Sequence, residues 1–429
     1  MIMESLDRQA LLDFYTDHLQ NTLLPFWLRS VDWEDGGYYN CYDNTGEVLV
    51  SEDKYTWSQG RFVWMYAKLA STTADIFNEE ERKQFLNLAR HGAEFLKKHC
   101  LLDNGHCTFV MDKQGNPKVN TPGDSYDSSI FADCFVIAGL AKYAAEAGDN
   151  ETLAFARKLY DSVTDRIDRN EYYMAPYPTP KGYKSHNIPM ILLNVTQELW
   201  EASVSLKDTD TDRLAANMKR DMDEITLHFR DDSGVLNEKI LADNRREDTL
   251  LGRYCNPGHV IEDMWFLIHA AQKLNLESYI PQAIQTTRKM VELGWDSEHG
   301  GLLLFIDRCG GPPVGEAPAG LENEPMVKQI RDNWANKLWW PHSEALYTTL
   351  LCYRLSGDEQ FVCDYKKIHD YTFSTFPNPN KEVGEWIQIR KQNGEPIDKV
   401  VALPVKDPYH IIRNVIYIIE LLHDMEASK

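Results

Sequence analysis

One pattern recurs along the whole chain, and a chain that repeats itself folds into a repeating architecture. Four segments share a glycine, a short aromatic or β-rich run, and a polar turn ending in a second glycine ten positions on. They are GGYYNCYDNTG (36–46), GHCTFVMDKQG (105–115), GGLLLFIDRCG (300–310) and GEWIQIRKQNG (384–394). Each reads as a short β-hairpin or extended loop, because alternating residues lead into a polar turn closed by glycine. Two degenerate copies fill the gap, from Glu171 (EYYMAPYPTPKG) and from Gly234 (GVLNEKI). The six starts, 36, 105, 171, 234, 300 and 384, lie 69, 66, 63, 66 and 84 residues apart. The long last interval contains GGPPVGEAPAGLENEP (310–325), a Pro/Gly-rich stretch that reads as a loop.

Helical periodicity fills the intervals. Phe62, Met65, Tyr66 and Leu69 fall on one face of a predicted helix over 58–70. Helices are likewise expected over 126–145, 189–201, 257–274, 340–355 and 410–422. A second helix follows most of these, over 79–100, 151–168, 211–229, 276–293 and 359–373, and residues 6–28 supply the last. Two helices per repeat cannot bury their apolar faces alone, so the six pairs must stack and close. The predicted fold is all-α: one (α/α)6 barrel over residues 1–429, with short β-hairpins or long loops at one mouth. No linker composition divides it. The helix after each hairpin is apolar nearly all round, as in DCFVIAGLA (133–141), which marks it as the inner ring.

Charge narrows the function. With 45 basic and 66 acidic side chains the net charge is −21, which leaves no basic footprint for nucleic acid or an anionic membrane. The start, MIMESLDRQALLDFY, puts Glu4, Asp7 and Arg8 where a signal peptide needs an apolar stretch, and no run has the length of a membrane span. The 8 cysteines form no CxxC pair and read as free thiols of a cytoplasmic protein. GxSxG, GxxxxGK[ST] and GxGxxG motifs are missing from the sequence, so serine-hydrolase, P-loop and Rossmann chemistry lack support.

The first turns of the inner helices carry the unusual polar residues. They are Trp57-Ser-Gln-Gly-Arg61, Asp124-Ser-Tyr-Asp127, His186-Asn-Ile-Pro-Met190 with Asn194, Asn256-Pro-Gly-His259-Val-Ile-Glu262, Trp339-Trp-Pro-His342-Ser-Glu344 and Tyr409-His410-Ile-Ile-Arg413. All are expected to face one mouth. Helix capping accounts for Asp124, Asn256, Pro257 and Pro341. It does not account for His259, His342, His410, Arg61, Arg413, Glu262 and Glu344 converging there, and convergent polar groups in a concavity mark a ligand site. His259 and Glu262, three apart, are half of a metal-binding pattern, but no second pair completes it and no metal is expected. Among aromatic neighbours a histidine is instead a proton carrier near neutral pH. Asp124 or Asp127 with Glu262 gives a second reading, the paired carboxylates of an (α/α)6 glycoside hydrolase.

These segments resemble the N-acylglucosamine 2-epimerase family, which also contains cellobiose 2-epimerases and mannose isomerases. The likeness is carried by WSQGRFVWMYAKL (57–69), IPMILLN (188–194), NPGHVIEDMWFL (256–267), KLWWPHSEALYTTLL (337–351), GEWIQIRKQNGE (384–395) and YHIIRN (409–414), in the family's order. The resemblance implies the same barrel, and interconversion of N-acyl-D-glucosamine and N-acyl-D-mannosamine, or a related C2 pair, by cofactor-free proton transfer at C2 of the open-chain sugar. It places the family's two histidines on His259 and His410 and its arginine on Arg61, with Glu262 beside them. Trp339, His342, Glu344, Met190, Asn194 and Arg413 fall on pocket positions, and His186 and Lys406 join them as substrate-binding candidates. The C-terminal motif departs from the N-acyl members. They resemble KGGPFKGxFHVPR, whereas this chain has ALPVKDPYHIIRN (402–414), keeping Lys406, Tyr409, His410 and Arg413 but not the glycines. His186 has no counterpart in those members. The sugar therefore stays open between an N-acylhexosamine, a free hexose and a disaccharide.

The implied chemistry needs one histidine to remove the C2 proton and the other to return one on the opposite face. Arg61 would stabilise the enolate oxygen, Glu262 and Glu344 would orient histidine or bind hydroxyls, and Trp339, Trp340 and Trp386 would stack on the sugar, with a core role equally open for Trp340. Proton return to C1 instead would make the same site an aldose–ketose isomerase on mannose-type hexoses. A non-catalytic, protein-binding role is the remaining alternative. The resemblance also implies a homodimer and allows a nucleotide effector, although the chain has no phosphate loop.

Overall fold

The computed structural model describes residues 6–399 and 404–427. Glu4 and the Ala402–Leu403 start of the C-terminal motif lie outside them. Among the described residues the barrel is built from an outer helix α1 (Arg8–His18) and then alternating inner and outer helices. These are α2 (Thr56–Ser71), α3 (Glu79–His99), α4 (Ile130–Ala147), α5 (Asn150–Asp168), α6 (Asn187–Ser205), α7 (Thr211–Glu224), α8 (Pro257–Leu274), α9 (Ile280–Gly294), α10 (Trp339–Ser356), α11 (Glu359–Thr375) and α12 (Tyr409–Ala427). The even-numbered helices pack in chain order and α12 returns to α2, which closes the (α/α)6 ring. Their burial follows the composition. Nearly all of α4 is buried, from Ile130 to Ala144, whereas α7 buries only Leu214, Met218, Asp221 and Met222. Caps set several boundaries. Asn78 and Glu81 form a reciprocal capping box at α3, and Asn256 accepts from the His259 amide ahead of Pro257 at α8.

Some helix ends differ from expectation for local reasons. The predicted helix over 6–28 widens to a π turn at Leu19–Leu23, just ahead of Pro25, whose ring a regular turn cannot hold. α4 starts at Ile130 rather than 126, because Ser129 is held extended by an antiparallel bridge to Met174. α9 starts at Ile280 rather than 276, with Pro281 in its first turn. Residues 310–325 are a loop, as read, but a further short helix, Pro325–Asn333, follows it.

The glycine segments correct one expectation. Their eight boundary glycines all have φ between 75 and 92°, the left-handed region that explains the recurrence. Three of the segments turn back on themselves as the hairpin reading expects, Val110–Met111 pairing with Pro117–Lys118 and single bridges joining Tyr42 to Leu49 and Arg390 to Pro396, but the segments also pair beyond themselves. At four of the six inner helices the strand leading in pairs with a strand of the next glycine segment: Lys54–Tyr55 with Val110–Met111, Tyr183–Ser185 with Lys239–Leu241, Tyr254–Cys255 with Ile306–Asp307, and Lys337–Leu338 with Ile389–Arg390. Those four inner–outer pairs are thereby clasped at the mouth. Buried lysines lock the clasps. Lys54 Nζ lies 2.7 Å from Asp32 and donates to the Gly36 carbonyl, and Lys337 Nζ lies 2.9 Å from Asp296 and donates to the Gly300 carbonyl.

Candidate active site

The inner helices point their first turns into a cavity of about 260 Å³. Of the residues predicted for the site, Arg61, Met190, Asn194, His259, Glu262, Trp339, His410 and Arg413 line it. Gly60 and Gly139 let α2 and α4 touch: a Cβ on Gly60 would meet the Phe135 carbonyl oxygen at 2.2 Å. That contact brings the Arg61 guanidinium to 4.1 Å from the centre of the Phe135 ring and 4.9 Å from that of Trp57. Arg61 is further held by Asp407 at 3.0 Å, so it is a fixed cation against aromatic walls.

His410, on the first turn of α12, has its Nδ1 2.6 Å from Glu344 Oε1. The same carboxylate accepts from Trp265 Nε1 at 2.8 Å and from Arg413 at 2.5 Å, and Arg413 also donates to Glu262. Burial alone would raise Glu344, but Arg413 and His410 draw it down to about 2, so it is ionised at neutral pH. His259, one helical turn inside α8, has its Nδ1 3.3 Å from Glu238 Oε2. Burial opposes ionisation of Glu238 too, and His259 and His186 hold it well below the usual carboxylate range. Both histidines thus commit Nδ1 to a buried carboxylate and keep Nε2 out of close hydrogen bonds among the described residues, His410 Nε2 standing 3.6 Å from Asp407 Oδ2.

Trp340 touches both histidines. Its ring lies 5.1 Å from that of His259 and 5.6 Å from that of His410. Gly258 makes this possible, because a Cβ there would meet the indole at 2.6 Å. The sequence left Trp340 divided between core and site; it lines the cavity.

Four predicted substrate-binding residues do not line it. His342 is fully buried on the far side of α10, its Nδ1 donating to the Leu338 carbonyl at 2.6 Å and its Nε2 accepting from the Leu302 amide at 2.8 Å. Burial pushes it down to about 3, so it is a neutral strut for the Gly300–Gly301 turn. Glu344 lies behind His410 and orients it rather than meeting a ligand. His186 is fully buried between Asp263 and Glu238. Lys406 is another clasp lysine, 2.8 Å from Glu385 and donating to the carbonyls of Asn44 and Trp386. Trp386 is likewise core: it is fully buried, packs on Phe376 and donates Nε1 to His18.

The aspartates of the glycosidase reading are also absent from the cavity wall, which leaves Glu262 without its partner carboxylate. Asp124 is exposed, and Asp127 pairs with His106 at 2.7 Å. Ligand-type atoms of Glu262, Glu344 and His410 lie within 4.8 Å of one another, but the Arg413 guanidinium already sits among them and supplies the positive charge. Two acidic wall residues escaped the sequence reading, Glu238 and Asp407. Glu238 lies in the degenerate GVLNEKI copy, whose place in the repeat was the available signal.

Comparison with known proteins adds three findings. A family model described as N-acylglucosamine 2-epimerase (GlcNAc 2-epimerase) matches residues 37–414. The N-acylglucosamine 2-epimerase of Mus musculus is 30% identical over 398 residues, 91% of this chain and 87% of that one. Among solved structures, the cellobiose 2-epimerase of Bacillus thermoamylovorans B4167 aligns over 96% of this chain and 99% of its own, with a TM-score of 0.76 at 20% identity. A D-mannose isomerase aligns over 98% and 99%, with a TM-score of 0.70 at 17% identity.

Proposed function

The chain belongs to the N-acylglucosamine 2-epimerase family, and from that premise we propose that it is a sugar 2-epimerase interconverting N-acyl-D-glucosamine and N-acyl-D-mannosamine. The observation that carries the proposal is the pair of cavity histidines, both in contact with Trp340 and each with Nδ1 on a buried carboxylate. An epimerase needs two such bases, because a proton leaves one face of C2 and another arrives on the opposite face. The sugar opens to its aldehyde. One histidine Nε2 takes the C2 proton, the electron pair moves into the C1–C2 bond, and the aldehyde oxygen becomes an enolate oxygen. Arg61 meets that charge as a cation already fixed by Asp407 and aromatic rings, with little reorganisation required. The other histidine, entering the cycle as imidazolium, gives its proton to C2 from the opposite side and the aldehyde re-forms. Glu238 and Glu344 stabilise whichever imidazole is charged. Apolar walls from Met190, Leu304 and Phe305 suit the methyl group of an N-acetyl substituent.

In this reading the reaction needs no cofactor or metal, because the carbonyl of the substrate itself acidifies the C2 proton. A cytoplasmic location and a homodimer complete the proposal. The described cysteines are all free thiols, which suits a reducing compartment. Among the described residues no helix is long and apolar enough to cross a membrane.

Proton NMR in D2O tests the proposal, with N-acetylglucosamine, N-acetylmannosamine, glucose, mannose and cellobiose in separate tubes. Deuterium at C2 of the N-acetyl sugars together with the C2 epimer is the expected result. Epimerisation confined to glucose or cellobiose would reassign the substrate, a ketose product would make the protein an isomerase, and no exchange by folded protein would refute the epimerase reading for these sugars.

A further inference from the structure

Both catalytic histidines touch Trp340, but the hydrogen-bonding groups behind them share no residue. Behind His410 stand Glu344, Trp265 and Arg413. Behind His259 runs a chain of buried ionisable groups with which proton transfer makes no direct contact. His259 Nδ1 is 3.3 Å from Glu238 Oε2, Glu238 Oε1 faces His186 Nδ1 at 3.5 Å, and His186 Nε2 is 2.8 Å from Asp263 Oδ2. Exposure is 2% at Glu238 and 0% at both His186 and Asp263. Glu238 Oε1 and His186 Nδ1 are buried and make no hydrogen bond among the described residues, so their 3.5 Å charge contact is what satisfies them.

Backbone geometry supports the same link. The His186 amide donates to the Glu238 carbonyl at 3.0 Å, continuing the ladder of Tyr183–Ser185 with Lys239–Leu241. The ladder therefore delivers His186 and Glu238 to α8 as one unit, and Asp263, on that helix, anchors it. Burial alone would lower His186, but its two carboxylate neighbours raise it to about 9, so it carries a proton at neutral pH. The imidazolium bridges two carboxylates that would otherwise repel each other.

We propose that His186 is a positioning residue: clamped by Asp263, it fixes Glu238 and through it the orientation and tautomer of His259, while His410 is held independently. The inference rests on the two-histidine epimerase reading and adds an asymmetry to it. In a two-base site each C2 epimer presents its hydrogen to one histidine. Loosening His259 alone should therefore cripple exchange from one epimer and spare exchange from the other, where His410 can return deuterium to the face it took the proton from.

The test uses wild-type protein, His186→Phe, which keeps a ring but neither ring nitrogen, and Glu238→Gln, which keeps shape and loses charge. Initial deuterium incorporation at C2 in D2O is measured separately from N-acetylglucosamine and from N-acetylmannosamine. We expect both variants to slow exchange from one epimer at least ten-fold more than from the other, and the same epimer in each. Equal slowing from both epimers would assign His186 to general packing and overturn the proposal, as would unchanged rates. If His186→Phe does not fold, by circular dichroism, Glu238→Gln decides alone. Absence of exchange by the wild-type protein would overturn the underlying epimerase reading, and the proposal with it.

Discussion

Replacing Glu344 by glutamine isolates the electrostatic part of the proposed mechanism. Glu344 is fully buried and accepts three hydrogen bonds, from His410, Trp265 and Arg413. Glutamine keeps the shape and removes the charge. The bond from His410 Nδ1, now 2.6 Å long, becomes a neutral one. Charge-assisted hydrogen bonds contribute about 1.5–3 kcal/mol and neutral ones about 0.5–1.5, so the imidazolium of His410 loses roughly 1–2 kcal/mol of support. At about 1.4 kcal/mol per decade, that alone slows the step some ~5–30-fold. If the amide presents its NH2 group to Nδ1, the imidazole shifts its proton to Nε2 and cannot act as a base, which deepens the loss. Arg413 retains Glu262, so the stability cost stays near ~2 kcal/mol rather than the larger cost of stranding a buried charge. The assay is epimerisation followed by NMR, with thermal melting as the control. We expect kcat to fall by at least about ten-fold with KM changed less than about three-fold. A folded variant with kcat within a factor of about two of wild type would refute the assignment of Glu344 to His410.

Further predictions follow from single contacts. Gly258→Ala places a Cβ where the Trp340 ring now lies 2.6 Å away, so the indole must move; kcat/KM should drop about ten-fold, with a stability loss of about 1–3 kcal/mol seen in denaturant melts. Arg61→Met removes the cation opposite the developing enolate, and kcat should fall roughly 100-fold or more by the same NMR assay, with unchanged melting excluding a folding defect. His342 is held down to about 3, below its ordinary value near 6.5, so in the window between them the unfolded chain binds a proton that the folded chain refuses. Stability therefore falls as pH is lowered from about 6.5, by on the order of 3 kcal/mol at pH 4 from this residue, and His342→Gln should flatten that part of the urea-derived profile if it folds.

The sequence exposed the parts of this fold that have local causes. The eight boundary glycines recur because each turn demands positive φ, and that demand is readable one residue at a time. The clasps between repeats were not readable, since Lys54 pairs with Met111, more than fifty positions away, through two-residue strands that carry no periodic signal. The site divides the same way. His259, His410 and Arg61 stand out as chemically unusual residues on apolar helices. His342 looked equivalent, but at 100° per residue it lies about 200° around the helix from Trp340, so one faces the cavity and the other the outer helices. Glu344 lies only about 40° from Trp340 and one turn deeper, which puts it behind the cavity wall rather than in it. His186 caps its helix directly after the strand Tyr183–Ser185, and its place between Glu238 and Asp263 is set by that strand's ladder and by α8, neither of which shows in local periodicity.

The central claim is that His259 and His410 each serve one face of C2. Its most direct measurement is C2 hydrogen exchange in D2O by wild-type, His259→Ala and His410→Ala proteins, each shown to be folded by circular dichroism. The account predicts that neither variant epimerises N-acetylglucosamine or N-acetylmannosamine, and that His410→Ala abolishes exchange from the epimer whose hydrogen faces His410. Near-wild-type turnover by either folded variant would contradict it.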